Sequence, residues 1–327
     1  MDAVALRDVT PIARFATRAT LPTSHEERER RLIDLARLAS AGCRDVRLRV
    51  PWADFVPKPG RVDEGARERL SEFATGCTAL GVQPHVSLCG RNVPGWFVDE
   101  RSFSDSRSAD RHWSHFVDEV LASAADEIAG VIPFEGPFGL LARLESASLD
   151  PDNHDPRRFL GSVACIAMLH RRTATLCGAL PVTCVLDESA LMVAAQAPEL
   201  ARLPGEARRT LVEMLRDADG RFTVGVDVSA HPLLASRGES ARWADLVVDE
   251  AVRTAEELPS SHLSVIGLPE HDNPDVVADV VEAAVRAASE INDAGIRLDT
   301  VWLGDHGRTP TEIFASIVPP PPVRDDK

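Results

Sequence analysis

Short apolar runs alternate along the chain with longer stretches whose apolar residues recur every three or four positions. This is the pattern of strands buried in a parallel sheet and crossed over by amphipathic helices. The first run is Ile12 to Ala16. Ser24 then reads as a helix cap, with Glu27 three residues on completing a capping box, and the helix it opens ends near Gly42. Val46 to Val50 predicts the second strand, and Asp63 to Leu80 the next helix, stopped at Gly81. Val82 to Leu88 predicts the third strand, and a helix over Ala109 to Ala125 leads to the fourth at Gly130.

The second half repeats the cycle. Asp155–Pro156 is a cap followed by a first-turn proline, opening a helix that stops at Gly178. Strand-like runs follow at Pro181 to Leu186, Phe222 to Asp227, Leu263 to Leu268 and Thr300 to Leu303. Helices over Glu206 to Ala218, Ala241 to Glu257 and from Asn273–Pro274 to Gly295 separate them. Eight such units with no linker between them predict one α/β domain, a compact single (β/α)8 TIM barrel with trimmed loops over residues 1–318. An open doubly wound sheet is the alternative arrangement, but eight consecutive units favour closure. A short helix over Thr311 to Ile317 runs into Pro319–Pro322 and a charged end, which predict a disordered tail over 319–327.

Composition narrows the partners. At 327 residues the length suits one barrel, and the net charge of −15 without a basic block argues against nucleic acid and anionic membrane. Met1 to Thr10 has no apolar core of signal-peptide type and no segment reaches the length of a membrane span, so a cytoplasmic location is expected. A small-molecule substrate is the expected partner; the oligomeric state stays open. The six cysteines contain no CxxC pair and read as buried thiols, with Cys89, just after a strand, the one placed to be watched as a nucleophile. Lys58 and Lys327 are the only lysines and there is no tyrosine, which disfavours Schiff-base chemistry at a strand end and removes any phenolic acid or base. No Walker loop, GxGxxG or GxSxG motif occurs, and no cofactor is expected.

Gly130–Val131–Ile132–Pro133–Phe134–Glu135–Gly136–Pro137 carries a single carboxylate at the end of an apolar run, in a Gly/Pro turn. In a barrel this places Glu135 at the C-terminal mouth, where catalytic groups gather. Its apolar neighbours Ile132 and Phe134 predict a raised pKa, and so a proton available near neutral pH. The same rim is expected to offer Arg91 and Asn92 after strand three, Asp187 and Glu188 after strand five and His231 after strand six. Glu270 and His271 follow strand seven, and Asp305 and His306 strand eight. Arg47 and Arg49, two apart in strand two, share one face and point into the barrel. There they form a structural ion pair or hold an anionic group of a substrate. His231, His271 and His306 with Glu270 and Asp305 have no HxH or HExxH spacing, so no metal is expected and the histidines read as hydrogen-bonding or acid–base groups. Trp52, Trp96 and Trp302 are candidates for flat pocket walls, with core packing as the equal alternative.

From Arg28 to Trp96 the chain resembles the family-1 glycoside hydrolases, the β-glucosidase family of retaining barrels. The segment Val46-Arg47-Leu48-Arg49-Val50-Pro51-Trp52, then Pro57, Gly60, Val62 and Glu64, is similar to that family's second-strand stretch. Leu80 to Leu88, followed by Val93-Pro94-Gly95-Trp96, is similar to its third. Further along, Phe222 to Asp227 resembles its sixth strand, and Trp302 falls where the last strand carries a tryptophan. The resemblance implies Glu135 as acid/base and Arg47 as the arginine beneath the nucleophile. The departures are at the sugar site. Phe134 replaces the Asn before the acid/base, and Gly90 and Arg91 replace a His-Trp pair. Val228 and Ser229 replace a Tyr pair, and Gly267 stands where the nucleophilic Glu belongs, so that only a local shift brings Glu270 there.

Retaining hydrolysis needs two carboxylates about 5–5.5 Å apart. With the second displaced, the preferred expectation is a pseudoglycosidase: a glycosidase-like barrel performing acid–base chemistry on a small polar, anionic metabolite. Elimination, isomerisation, cyclisation or hydrolysis in a biosynthetic pathway would fit. A retaining β-glycosidase using Glu135 and Glu270 is the second expectation, and a non-catalytic binding barrel the third.

Overall fold

Strands β1 (Arg14–Thr20), β2 (Asp45–Arg49), β3 (Gln83–Cys89) and β4 (Gly130–Phe134) are joined by β5 (Val182–Leu186), β6 (Phe222–Val226), β7 (Leu263–Val265) and β8 (Leu298–Trp302). All pair in parallel in chain order, and β8 returns to β1 through Phe15↔Val301, so the sheet closes into a barrel. The structure is a computed structural model that describes residues 14–90, 92–150, 154–194, 198–218, 220–229, 239–259, 261–266 and 274–302. The expected helix over Thr311 to Ile317 and the tail over 319–327 lie outside the described residues.

Seven long helices make the outer layer: α1 (His25–Ser40), α3 (Glu64–Ala79), α5 (Ser106–Ala124), α7 (Pro156–Cys177), α9 (Leu203–Asp217), α10 (Glu239–Glu257) and α11 (Pro274–Asp293). Their ends follow the sequence signals. Ser24 caps α1 through its Oγ, which accepts from Glu27 N at 3.2 Å. The reciprocal half of the expected capping box goes elsewhere, because the Glu27 carboxylate accepts from Thr23 N and Oγ1 at 2.8 and 2.7 Å. Gly81 and Gly295, just past α3 and α11, have φ of 70° and 76°, the left-handed turn that ends a helix and suits glycine.

Four short helices follow strands two to five at the C-terminal rim: α2 (Trp52–Phe55), α4 (Gly95–Asp99), α6 (Pro137–Leu144) and α8 (Glu188–Ala194). None is long enough to show helical periodicity in the sequence. β1 runs on from the expected Ala16 to Thr20, since Thr17 to Thr20 pair with Val46 to Arg49 although Thr17, Arg18 and Thr20 are polar. Two apolar layers result. The larger lies between strands and helices, with Val46, Leu48, Trp113, Phe116 and Phe134 among its members. The smaller, Ala16, Ile132, Val185, Ile266 and Trp302, plugs the barrel itself. No helix among the described residues is long and apolar enough to cross a membrane.

Candidate active site

The two-residue period of β2 turns Val46 and Leu48 outward to the helices and Arg47 and Arg49 inward, as the sequence predicts. On β4 the alternation breaks. Ile132 belongs to the barrel plug, yet Phe134 stacks outward on Trp113 of α5 with ring centroids 4.6 Å apart. The break lets the next residue, Glu135, face inward above Ile132. Its N–H donates to Cys89 O at 2.8 Å, which fixes the strand end against β3.

Arg49 donates to Glu135 Oε2 through Nε at 2.9 Å and also through Nη2. Arg47 Nε lies 3.8 Å from the other oxygen, Oε1. Arg47 is 2% exposed and the Glu135 side chain 10%, so both charges sit out of bulk water, whereas Arg49 at 29% is the member open to the mouth. Among the described residues, Nε and Nη1 of Arg47, Oε1 of Glu135 and Oγ of Ser87 have no hydrogen-bond partner. Room for the pair comes from Gly90. A Cβ there would meet Glu135 Oε2 at 2.9 Å and Arg49 Nε at 3.1 Å.

This arrangement overturns the expected pKa of Glu135. Burial does push it up, but the charges of Arg47 and Arg49 and the Arg49 hydrogen bonds outweigh that and hold it at about 2. Glu135 is an ionised anchor at neutral pH, not a resident proton donor. Burial pulls Arg47 down to about 10, opposed by Glu135, and it stays cationic. Cys89 is buried, and burial together with the Glu135 charge pushes its thiol up, so it is no thiolate nucleophile.

Two more carboxylates stand beside this group. Asp187, at the end of β5, accepts from the backbone N–H groups of Phe138 and Gly139, each at 2.9 Å. Burial nevertheless pushes it up to about 7. Asp227, at the end of β6, accepts from Ser229 N at 2.8 Å. Desolvation raises its carboxyl against that bond, with Arg47 pulling it down and Glu135 pushing it up. Asp227 is hard to read as a site residue from sequence because it completes an apolar strand; the signal is that Val224 and Val226 face the helices, which turns Gly225 and Asp227 to the barrel side.

Other expected residues fall elsewhere. Trp52 is 1% exposed and packs with Phe97, Trp113 and Phe116 in the helical layer, so it is core and not a pocket wall. Trp96 joins the same aromatic cluster and donates to Val56 O at 3.0 Å, which likewise removes it from the mouth. Trp302 is buried in the plug, edge-on to His85. Asn92 is exposed at the rim and accepts from Arg143 at 3.4 Å. Glu188 is spent on Arg253 and Arg208 between helices. Arg91, His231, Glu270, His271, Asp305 and His306 lie outside the described residues. Among the described residues no three His, Cys, Asp or Glu side chains gather to hold a metal.

No family model matches the chain, and no curated protein matches it in sequence. Solved structures do. A β-glucosidase designated 1317 superposes with a TM-score of 0.64 at 16% identity, covering 91% of this chain and 82% of that one. A β-glycosidase from Pyrococcus horikoshii gives 0.66 at 12% identity, covering 90% and 85%. A family 1 β-glucosidase from Thermotoga maritima gives 0.64 at 12% identity, covering 91% and 89%. At such identities the likeness is one of fold: the closed (β/α)8 barrel that these glycosidases also have.

Proposed function

We propose that the chain is an acid–base enzyme acting on a small polar metabolite that carries an anionic group. The observation that carries this reading is the grip of Arg47 and Arg49 on Glu135 at the mouth of the barrel. An anionic group arriving at the more open arginine, Arg49, competes with Glu135 for the guanidinium. As that charge is shared, the force holding Glu135 ionised weakens while its burial persists, and its proton affinity rises. Glu135 then takes a proton from the bound molecule and returns it to the product or leaving group, which accounts for an elimination or isomerisation with no co-reactant. Asp227, which feels the Glu135 charge, is the neighbouring carboxyl able to exchange that proton.

Glycoside hydrolysis is the second reading, favoured by the β-glucosidase fold. It requires a donor at Glu135 and a nucleophile at Glu270, and the first is held ionised in the free protein. A binding barrel without turnover is the third.

The test combines binding and turnover. Calorimetric titration with small dicarboxylates and inorganic phosphate is expected to show binding that weakens at least tenfold in Arg49→Ala. No hydrolysis of an aryl β-glucoside is expected. Hydrolysis lost in Glu270→Ala would replace the proposal with the second reading; absence of anion binding would overturn it.

A further inference from the structure

Helix α6 begins two residues after Glu135 and lacks a cap of its own. Gly136, at the capping position, has no side chain to accept a hydrogen bond, and Pro137 opens the helix without an N–H. The next two N–H groups, of Phe138 and Gly139, are satisfied from another strand by the two oxygens of Asp187, one each at 2.9 Å. Four N-terminal N–H groups of a helix need partners from outside its own ladder, and a carboxylate there also meets the positive end of the helix dipole. The fit is close on both sides. A Cβ on Gly136 would meet Asp187 Oδ2 at 2.8 Å, and one on Gly139 would meet it at 3.2 Å. Asp187 itself is buried at the end of β5.

We infer that Asp187 is a positioning residue: by capping α6 in trans it sets the β4–α6 turn and thereby aims Glu135 at Arg47 and Arg49. Between the Cys89 O bond on one side and the Asp187 clamp on the other, the backbone at Glu135 is fixed by strands β3 and β5. From this backbone position Glu135 reaches Arg49 with Oε2. The inference rests on Glu135 being the group that does the chemistry, but its test reads geometry and not turnover.

The experiment is solution NMR on the full chain. In Asp187→Ala, amide exchange at Phe138 and Gly139 is expected to rise at least tenfold, and the Arg49 Nε–H resonance to move toward its exposed position. Asp187→Asn keeps the volume and one acceptor, and is expected to give a smaller shift in the same direction. Gly136→Ala, which presses the clamp from its other side, supplies the same readout should the alanine variant fail to fold. Faster exchange at Phe138 and Gly139 with an unchanged Arg49 resonance would overturn the inference, because the clamp would then stop at the helix. Unchanged exchange would overturn it as well. Absence of anion binding in the natural chain, with the clamp intact, would count against the proposed function alone.

Discussion

Arg49 of β2 places two donors on one oxygen of Glu135, a residue 86 positions away at the end of β4. The strand between them, β3, contributes Gly90 at the crossing point, and the second arginine, Arg47, lies buried below. This is a charge cluster under the barrel mouth, and its consequences are measurable without knowing the substrate.

Glu135→Gln removes the charge that does most to raise the proton affinity of the buried Arg47 guanidinium, leaving only the lesser pull of Asp227. Breaking a buried pair from one side costs about 3–5 kcal/mol. A second route gives a similar size. The fall from 4.5 to about 2 corresponds to stabilisation on the order of 3 kcal/mol. The sign follows from linkage: a carboxyl with a lowered folded pKa stabilises above its unfolded value and loses that contribution as pH falls. Urea unfolding of the natural chain is therefore expected to show stability dropping between pH 4.5 and about 2, a limb flattened in Glu135→Gln. An unchanged acid limb would show that Glu135 is not ion-paired in solution.

Asp187 works in the opposite sense. Its folded pKa is raised from 3.8 to about 7, so the native state holds a proton that the unfolded chain has released. The Asp187 contribution, read as the difference in stability between the natural chain and Asp187→Asn, is then expected to decline as pH rises from about 4 to 7. Buried His170, pulled down to about 4, works against the Asp187 limb, so each carboxylate is read from the difference between the natural chain and its own variant. Unfolding free energies at half-unit pH steps check both limbs in one data set.

All six cysteines are buried, and for Cys89 the Glu135 charge adds to burial in disfavouring the thiolate. A disulfide-exchange reagent is expected to label essentially none of them in the native chain at pH 8, and all six in guanidinium. Rapid labelling of Cys89 in the folded protein would reopen it as a nucleophile.

The barrel was legible in the sequence because each strand and each long helix announces itself over several residues. The inward turn of Arg47 and Arg49 followed from strand periodicity alone. The proton state of Glu135 did not follow, since local neighbours Ile132 and Phe134 pointed to a raised pKa while the deciding charges come from β2. Phe134 in fact faces away, against Trp113, through a break in alternation that composition does not reveal. Trp52 and Trp96 were ambiguous for a related reason: helices of four and five residues have no periodicity from which to read a buried side. Asp187 read as a rim group, correctly placed, but its bonds to Phe138 and Gly139 belong to the register between β4 and β5.

Gly90 joins the departure in sequence to the charge cluster. Gly90 carries no side chain, and the space is taken by the Arg49–Glu135 pair. Gly90→Ala would put a methyl group 2.9 Å from Oε2 and 3.1 Å from Nε, closer than unstrained contacts allow. The two charged tips must part or the strand end must move, and overpacking of this kind costs about 1–3 kcal/mol. With Arg49 displaced, Glu135 keeps its burial and loses part of the charge that opposes it, so its pKa is expected to rise from about 2 toward the ordinary carboxylate range. Carbon-13 titration of the Glu135 carboxyl in Gly90→Ala and in the natural chain measures this directly. A pKa that stays near 2 would mean that Arg47 alone holds the charge and that the glycine has no bearing on it.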